Sequence, residues 1–142
     1  MRKLNLGCGK KQMEGWVNID IRDFGQEIIR DITRGLPFDD SSVDEISASH
    51  SLEHIERKDI DFVWEEIYRV LKPGAIVFIR VPHSLGSQVF MMDHLSYWNE
   101  NTVEVLCNKW GSEDHFTKTN FQILQNEKVD EELHIKLKAI KL

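Results

Sequence analysis

The chain has 142 residues, 41% of them hydrophobic and 30% charged, which is enough apolar material for one compact domain to bury its own core. Eighteen Lys and Arg against 24 Asp and Glu leave a formal charge of −6, the wrong sign for general binding to nucleic acid or an anionic membrane. Cys8 and Cys107 form no CxxC pair, the six histidines include no HxH or HExxH spacing, and the longest apolar run, residues 75–79, is far too short to span a bilayer. The expectation is a single domain over residues 1–142, cytoplasmic, with reduced thiols and no metal.

In chain order, residues 3–6 and 16–19 are short apolar runs that read as buried parallel strands, the first ending at Gly7-Cys8-Gly9 and the second at Asp20. Residues 27–30 read as a third strand before Asp31, and residues 43–49 as a fourth after the turn-like Pro37-Phe38-Asp39-Asp40-Ser41-Ser42. Over residues 58–71 the apolar positions Ile60, Val63, Trp64, Ile67, Val70 and Leu71 fall at helical spacing, with Lys72-Pro73-Gly74 as the stop signal. Residues 75–81 read as a buried strand and residues 101–106 as a short helix capped by Asn99 or Asn101. Residues 116–125 and 132–142 alternate and flank Asn126-Glu127-Lys128-Val129-Asp130, the pattern of a terminal antiparallel hairpin. The sum is an α/β fold: a Rossmann-like, mostly parallel sheet, helices on both faces, and a C-terminal antiparallel hairpin.

Gly7 and Gly9, just past a strand end, let a backbone approach a ligand closely, although a tight strand-to-helix turn uses the same residues. Asp20, at the end of the neighbouring strand, can accept both hydroxyl protons of a ribose; taken alone it would more often be a solvated or helix-capping acid. The interval from Gly7 to Asp20 is 20 − 7 = 13 residues, shorter than the roughly 20 of a dinucleotide-binding unit. Lys10, Lys11 and Gln12 follow Gly9, so the third glycine that receives a pyrophosphate is missing. A nucleoside carrying a small zwitterionic tail, such as S-adenosylmethionine, suits these residues better than a nicotinamide or flavin dinucleotide.

The order of these segments resembles the class I S-adenosylmethionine-dependent methyltransferases, in particular the type known as methyltransferase domain 11. The resemblance is carried by Leu4-Asn5-Leu6-Gly7-Cys8-Gly9, Val17-Asn18-Ile19-Asp20, and the run from Leu36-Pro37-Phe38-Asp39 to Val43-Asp44-Glu45-Ile46. His50-Ser51-Leu52-Glu53-His54-Ile55 and Glu66-Ile67-Tyr68-Arg69-Val70-Leu71-Lys72-Pro73-Gly74 complete it. It implies a methyl transfer from S-adenosylmethionine to a small-molecule acceptor, with Gly7, Cys8 and Gly9 lining the methionine part and Asp20 holding the ribose. Asp31 and Ile32 would hold the adenine, and Ser49 and His50 would lie near the sulfonium. Asn5 stands where the family usually has an acid, which weakens the charge-assisted contact with the cofactor ammonium, although its amide oxygen can still accept.

No catalytic residue stands out, because methyl transfer rests largely on positioning. His50 and His83, both at strand carboxyl ends, are the candidate bases for an acceptor that must lose a proton. The chain starts at its first strand, whereas the family normally carries helices before it that cover the cofactor. Residues 82–98, with His83, Ser84, Gly86, Met91, Met92, His94, Tyr97 and Trp98, are the expected cover, although their apolar members also suit packing over the sheet end. A homo-oligomer or a partner subunit is the other source of a lid, and a degenerate cofactor-binding module working with a partner is the alternative function. Trp64 and Trp16 read as core, while Trp98 and Trp110 are undecided.

Overall fold

A computed structural model describes residues 1–111 and 115–142. Seven strands form one sheet in the order β3-β2-β1-β4-β5-β7-β6. The strands are β1 (Lys3–Leu6), β2 (Val17–Asp20), β3 (Ile28–Ile29), β4 (Val43–Ser49), β5 (Leu71–Pro82), β6 (Phe121–Val129) and β7 (Glu132–Ala139). Strands β3, β2, β1, β4 and β5 pair in parallel, and β7 and β6 add antiparallel at one edge. The chain leaves β1 for β2 on one side and returns to β4 on the other, so the carboxyl ends of β1 and β4 border a crevice at the point where strand order reverses.

Helix α1 (Arg57–Val70) buries Ile60, Val63, Trp64, Ile67 and Val70, the stripe that its sequence period marks. Helix α2 (Glu100–Leu106) is shorter and starts at a reciprocal cap: the Asn99 side chain accepts from the Thr102 amide while the Thr102 hydroxyl accepts from the Asn99 amide. The ring of Trp64 packs on Trp98 and Phe121, with centroids 6.1 and 5.6 Å apart, and Tyr68 meets Phe121 edge-on. Phe121 pairs with Ala139, which lies on the same sheet face as Leu133, Ile135 and Leu137. Asn126, also on this face, donates to the Glu100 carbonyl, so α1 and α2 cover the same side.

The expected helices on both faces are therefore corrected to one face. The connections after β1 and β2, residues 7–16 and 21–27, contain no helix, being too short to make one and still cross to the next strand. Several boundaries also move. Strand β5 begins at Leu71 rather than at residue 75, because the chain runs straight from α1 into extended backbone and Leu71 pairs with Val43. The third strand shrinks to Ile28–Ile29. In the hairpin, residues 126–129 belong to β6, and the turn contracts to Asp130 and Glu131, with Asp130 at φ +54. Residues 116–120 stay outside β6, where buried Thr117 donates its hydroxyl to the Leu106 carbonyl and ties this stretch to the end of α2. Trp98 joins the core at 1% exposure, whereas Trp16, expected there, is only half-buried beneath the Lys3 ammonium. Among the described residues no helix is long and apolar enough to cross a membrane.

Candidate functional site

The turn after β1 is built on two left-handed residues, Gly7 at φ +64 and Gly9 at φ +54. A Cβ on Gly7 would lie 2.1 Å from Ser51 Oγ, so the loops after β1 and β4 touch only because this residue is glycine. The amide of Cys8 donates to the Ile19 carbonyl and that of Gly9 to Asp20 Oδ2, at 3.0 and 2.9 Å. These two N–H groups therefore point to β2, and what the loop offers outward is bare Cα surface for close approach rather than donors. Asp20 is buried and also accepts from the Arg22 amide through Oδ1 at 2.9 Å, leaving one lone-pair direction on each oxygen.

A side-chain network holds the rest of this connection where a helix is absent. Asn5 donates from Nδ2 to Asn18 Oδ1 and to the Lys11 carbonyl, at 2.9 and 3.1 Å. Asn18 in turn accepts from the Met13 amide and donates to the carbonyls of Met13 and Trp16 and to the Glu27 carboxylate. With both Asn5 amide hydrogens committed, its Oδ1 is the group left for a further donor. Burial, followed by the charges of Asp20 and Glu27, pushes the Cys8 thiol up, so it stays protonated and unreactive at neutral pH.

At the end of β3, Asp31 caps a short 3-10 turn, Ile32–Arg34: its Oδ1 accepts from the Thr33 amide and hydroxyl, at 3.0 and 2.7 Å. Those two bonds hold its carboxyl below the usual range. Ser49 and His50 are exposed at the end of β4, and His50 adopts a left-handed φ of +54 that turns the chain over the strand end. His50 Nε2 pairs with Glu132 on β7, while Nδ1 lies 3.7 Å from Glu53 Oε2. Glu53 is 2% exposed, and burial pushes its carboxyl up against the opposing pull of its own backbone amide and of His54, His50 and His94.

One cleft of about 1100 Å³ gathers most of the residues that the sequence singled out. Asn5, Gly7, Cys8, Gly9, Asp20, Asp31, Ile32, Ser49 and His50 all line it. His83 does not: it is 4% exposed, with Nε2 2.6 Å from Glu100 Oε1 and Nδ1 accepting from the Leu85 amide. Both its ring nitrogens serve the start of α2 and the following turn. Of residues 82–98, only Asp93 and Leu95 reach the cleft. The ends of this segment are fastened by the pairing of His83 with Trp98 and by the Leu95 and Ser96 amides on the Glu53 carbonyl, while Leu85, Phe90 and Met92 stand more than four-fifths exposed between them. The sequence reading missed Lys10, Lys11 and Ser51 in the cleft wall, and it missed that Glu53, His54 and His94 converge beside it. The run His50-Ser51-Leu52-Glu53-His54 was the available signal.

These residues fit a nucleoside cofactor without phosphates. The cleft has room for one, glycine surface lies at the β1 end, two acids with free lone pairs stand at the β2 and β3 ends, and no helix N-terminus follows the first loop to receive a pyrophosphate.

Comparison with known proteins agrees. The model of the methyltransferase domain family matches residues 10–79. Among solved structures, a Pyrococcus horikoshii protein is 20% identical with a TM-score of 0.71, the likeness covering 99% of this chain and 82% of that one. An S-adenosylmethionine-dependent methyltransferase from Archaeoglobus fulgidus is 13% identical with a TM-score of 0.68, covering 96% and 85%. A Haloferax volcanii protein described as a putative methyltransferase, in complex with the Trm112 methyltransferase activator, is 16% identical with a TM-score of 0.68, covering 99% and 83%. No curated protein matches in sequence. At these identities the structures establish the fold alone; the family match and the ordered motifs add the rest. The match over residues 10–79 is to the methyltransferase domain family, on a fold shared with S-adenosylmethionine-dependent methyltransferases, and the cofactor that it implies is S-adenosylmethionine.

Proposed function

We propose that residues 1–142 act as one methyltransferase domain that delivers the cofactor's methyl group to a small-molecule acceptor at the β4 side of the cleft. The convergence of the motif residues on a single cleft at the β1/β4 reversal supports this reading above all. Gly7, Cys8 and Gly9 pack against the methionine part, and Asn5 Oδ1 accepts from its ammonium. Lys10 and Lys11, exposed in the same loop, are the cations for its carboxylate. The remaining lone pairs of Asp20 take the two ribose hydroxyls. Asp31 Oδ2 accepts from the adenine amine while Ile32 forms an apolar wall for the ring.

Bound S-adenosylmethionine supplies an electrophilic methyl on a sulfonium, open to in-line displacement. The chain's part is to orient the two reactants and limit water around them. For an acceptor that bears a proton, His50 is placed to take it, with the Glu132 carboxylate orienting the ring and favouring the imidazolium that results. His83, committed on both nitrogens and off the cleft, is not carried forward.

Calorimetry tests the cofactor half. S-adenosylmethionine and its demethylated product should bind and NAD should not. Asp20→Ala, checked for fold by circular dichroism, should weaken binding by about 1.5–3 kcal/mol, the worth of hydrogen bonds to a charged group. Unchanged affinity in a folded variant removes Asp20 from the site. A screen for methylated products tests the other half.

A second reading draws on the Haloferax volcanii protein, whose structure was solved with an activator bound. Here, on the sheet face away from α1 and α2, Phe78 and Arg80 of β5 stand exposed, so a partner subunit would have a surface to complete. Cofactor binding without turnover by the isolated chain, restored by a second subunit, would favour that reading.

A further inference from the structure

We propose that Glu53, His54 and His94 form a binding site for a divalent transition-metal ion, zinc being the ion that suits the donors best. The three residues offer one carboxylate oxygen and two imidazole nitrogens, all within 4.8 Å of one another. Glu53 is 2% exposed, and its Oε1 has no hydrogen-bond partner. A buried carboxylate left in this state is costly unless a cation or a donor meets it.

The neutral ring of His54 is arranged as an acceptor. His54 Nδ1 lies 2.9 Å from the Asp93 carbonyl oxygen. A carbonyl can only accept, so Nδ1 carries the hydrogen and donates it, which in the neutral ring leaves the lone pair on Nε2. That Nε2 lies 4.0 Å from Glu53 Oε2. With His54 neutral, two lone-pair atoms thus face each other across this gap, and a cation in it resolves their repulsion. A backbone carbonyl on the far nitrogen of a histidine is also the usual outer support of a metal ligand, because it fixes tautomer and ring orientation. His94, 7% exposed, meets His54 edge-to-face with ring centroids 5.0 Å apart, which brings the second imidazole to the same point.

The scaffold holds these donors from two distant segments. The Leu95 and Ser96 amides donate to the Glu53 carbonyl at 2.7 and 3.1 Å, and the Ser96 hydroxyl donates to the Leu52 carbonyl at 3.1 Å. The strap that carries His94 is thereby fastened to the turn that carries Glu53 and His54. Two imidazoles and a carboxylate favour zinc and its transition-metal neighbours over magnesium or calcium, which prefer all-oxygen shells. Bonds of about 2.0–2.2 Å require donors closer together than 4.8 Å, so half-exposed His54 must rotate inward on binding. Three protein donors leave a coordination position for water or an oxygen ligand, and His54 is itself in the cleft wall. The arrangement is invisible as a sequence spacing, because His94 arrives from the far side of β5.

The test uses the full chain after treatment with a chelator, without cofactor, so its outcome is independent of the methyl-transfer reading. Zinc calorimetry should show one equivalent bound, and cobalt(II) should develop ligand-field absorption of a low-coordinate site. Glu53→Gln, His54→Ala and His94→Ala should each weaken zinc at least about tenfold, while His134→Ala, on β7, should leave affinity unchanged. His54 is half-exposed, so its variant remains informative even if the substitutions at buried Glu53 and His94 disturb the fold. Absence of one-equivalent binding overturns the proposal, and so does unchanged affinity in folded His54→Ala. Proton NMR showing His54 charged near neutral pH, with no metal response, would assign the cluster to an ion pair instead.

Discussion

The two faces of the sheet are made by the same strands yet meet different surroundings. On one, Ala75, Val77, Ile79 and Val81 of β5 join Leu133, Ile135, Leu137 and Ala139 of β7, all buried beneath the layer that includes α1, α2 and Trp98. On the other, the intervening Phe78 and Arg80 are exposed, and Lys136 and Lys138 are half-buried. The difference originates in the connections. Those after β4 and β5 contain α1 and α2, whereas those after β1 and β2 are closed by the Asn5–Asn18 network and by Gln26, whose side chain donates to the carbonyls of Asp20, Arg22 and Ile28. Side-chain amides and the short loops they hold can therefore replace helices in placing strand ends and bury the β1–β2 part of the second face, where Asn5 and Asn18 are 5% and 2% exposed, but they leave its β5 part open.

The largest effect that separates the faces should come from Trp64, 1% exposed at the centre of the aromatic cluster. Trp64→Ala is expected to lower stability by about 3–5 kcal/mol in urea unfolding, through lost transfer energy and the cavity left between Trp98 and Phe121. A loss below about 1 kcal/mol would show that this cluster does not anchor the covered face.

An intermediate effect is expected where α1 holds the connection before β4. Glu66 accepts from the Leu36 amide at 2.8 Å and from Arg69 Nε at 2.5 Å, and Arg69 also donates to the Leu36 and Phe38 carbonyls. The Arg69 bond is the main cause that lowers the Glu66 carboxyl from its ordinary 4.5. A depressed acid contributes stability that is fully present above its unfolded pKa and is lost as pH falls through the folded one. Glu66→Gln should thus cost about 1–3 kcal/mol at neutral pH, with the gap to the parent protein closing as the medium is acidified below about pH 4. A gap that is constant with pH would assign the loss to packing rather than charge.

The sequence made the helix and the first strands legible for a physical reason: each carries its burial pattern within a single window. In α1 the apolar stripe and the buried stripe coincide, and at β1 and β2 short apolar runs end at Gly7 and Asp20. The cleft was legible because its lining comes from strand ends, which a parallel order brings together. What failed depends on partners remote in sequence. Alternation around Thr117 suggests strand, but that residue answers to Leu106, and Trp98 is core only because Trp64 and Ser96 receive its ring and its N–H. Helices on both faces followed from the family pattern, which carries no information on how short residues 7–16 leave the first connection.

The smallest effect should come from Phe78, and its smallness is the sharper test of the uncovered face. The ring is 38% exposed and the Lys136 ammonium lies 5.4 Å from its centroid, an exposed cation–π contact worth about 0.5–1 kcal/mol. Its truncation opens no cavity, since no helix packs over it among the described residues. Phe78→Ala should therefore cost about 1 kcal/mol or less, and thermal stability of the parent should not vary with protein concentration. A loss near that of Trp64→Ala, accompanied by concentration-dependent melting, would mean that a second copy covers this face in solution. The difference between the two faces would then belong to the isolated chain and not to the assembly.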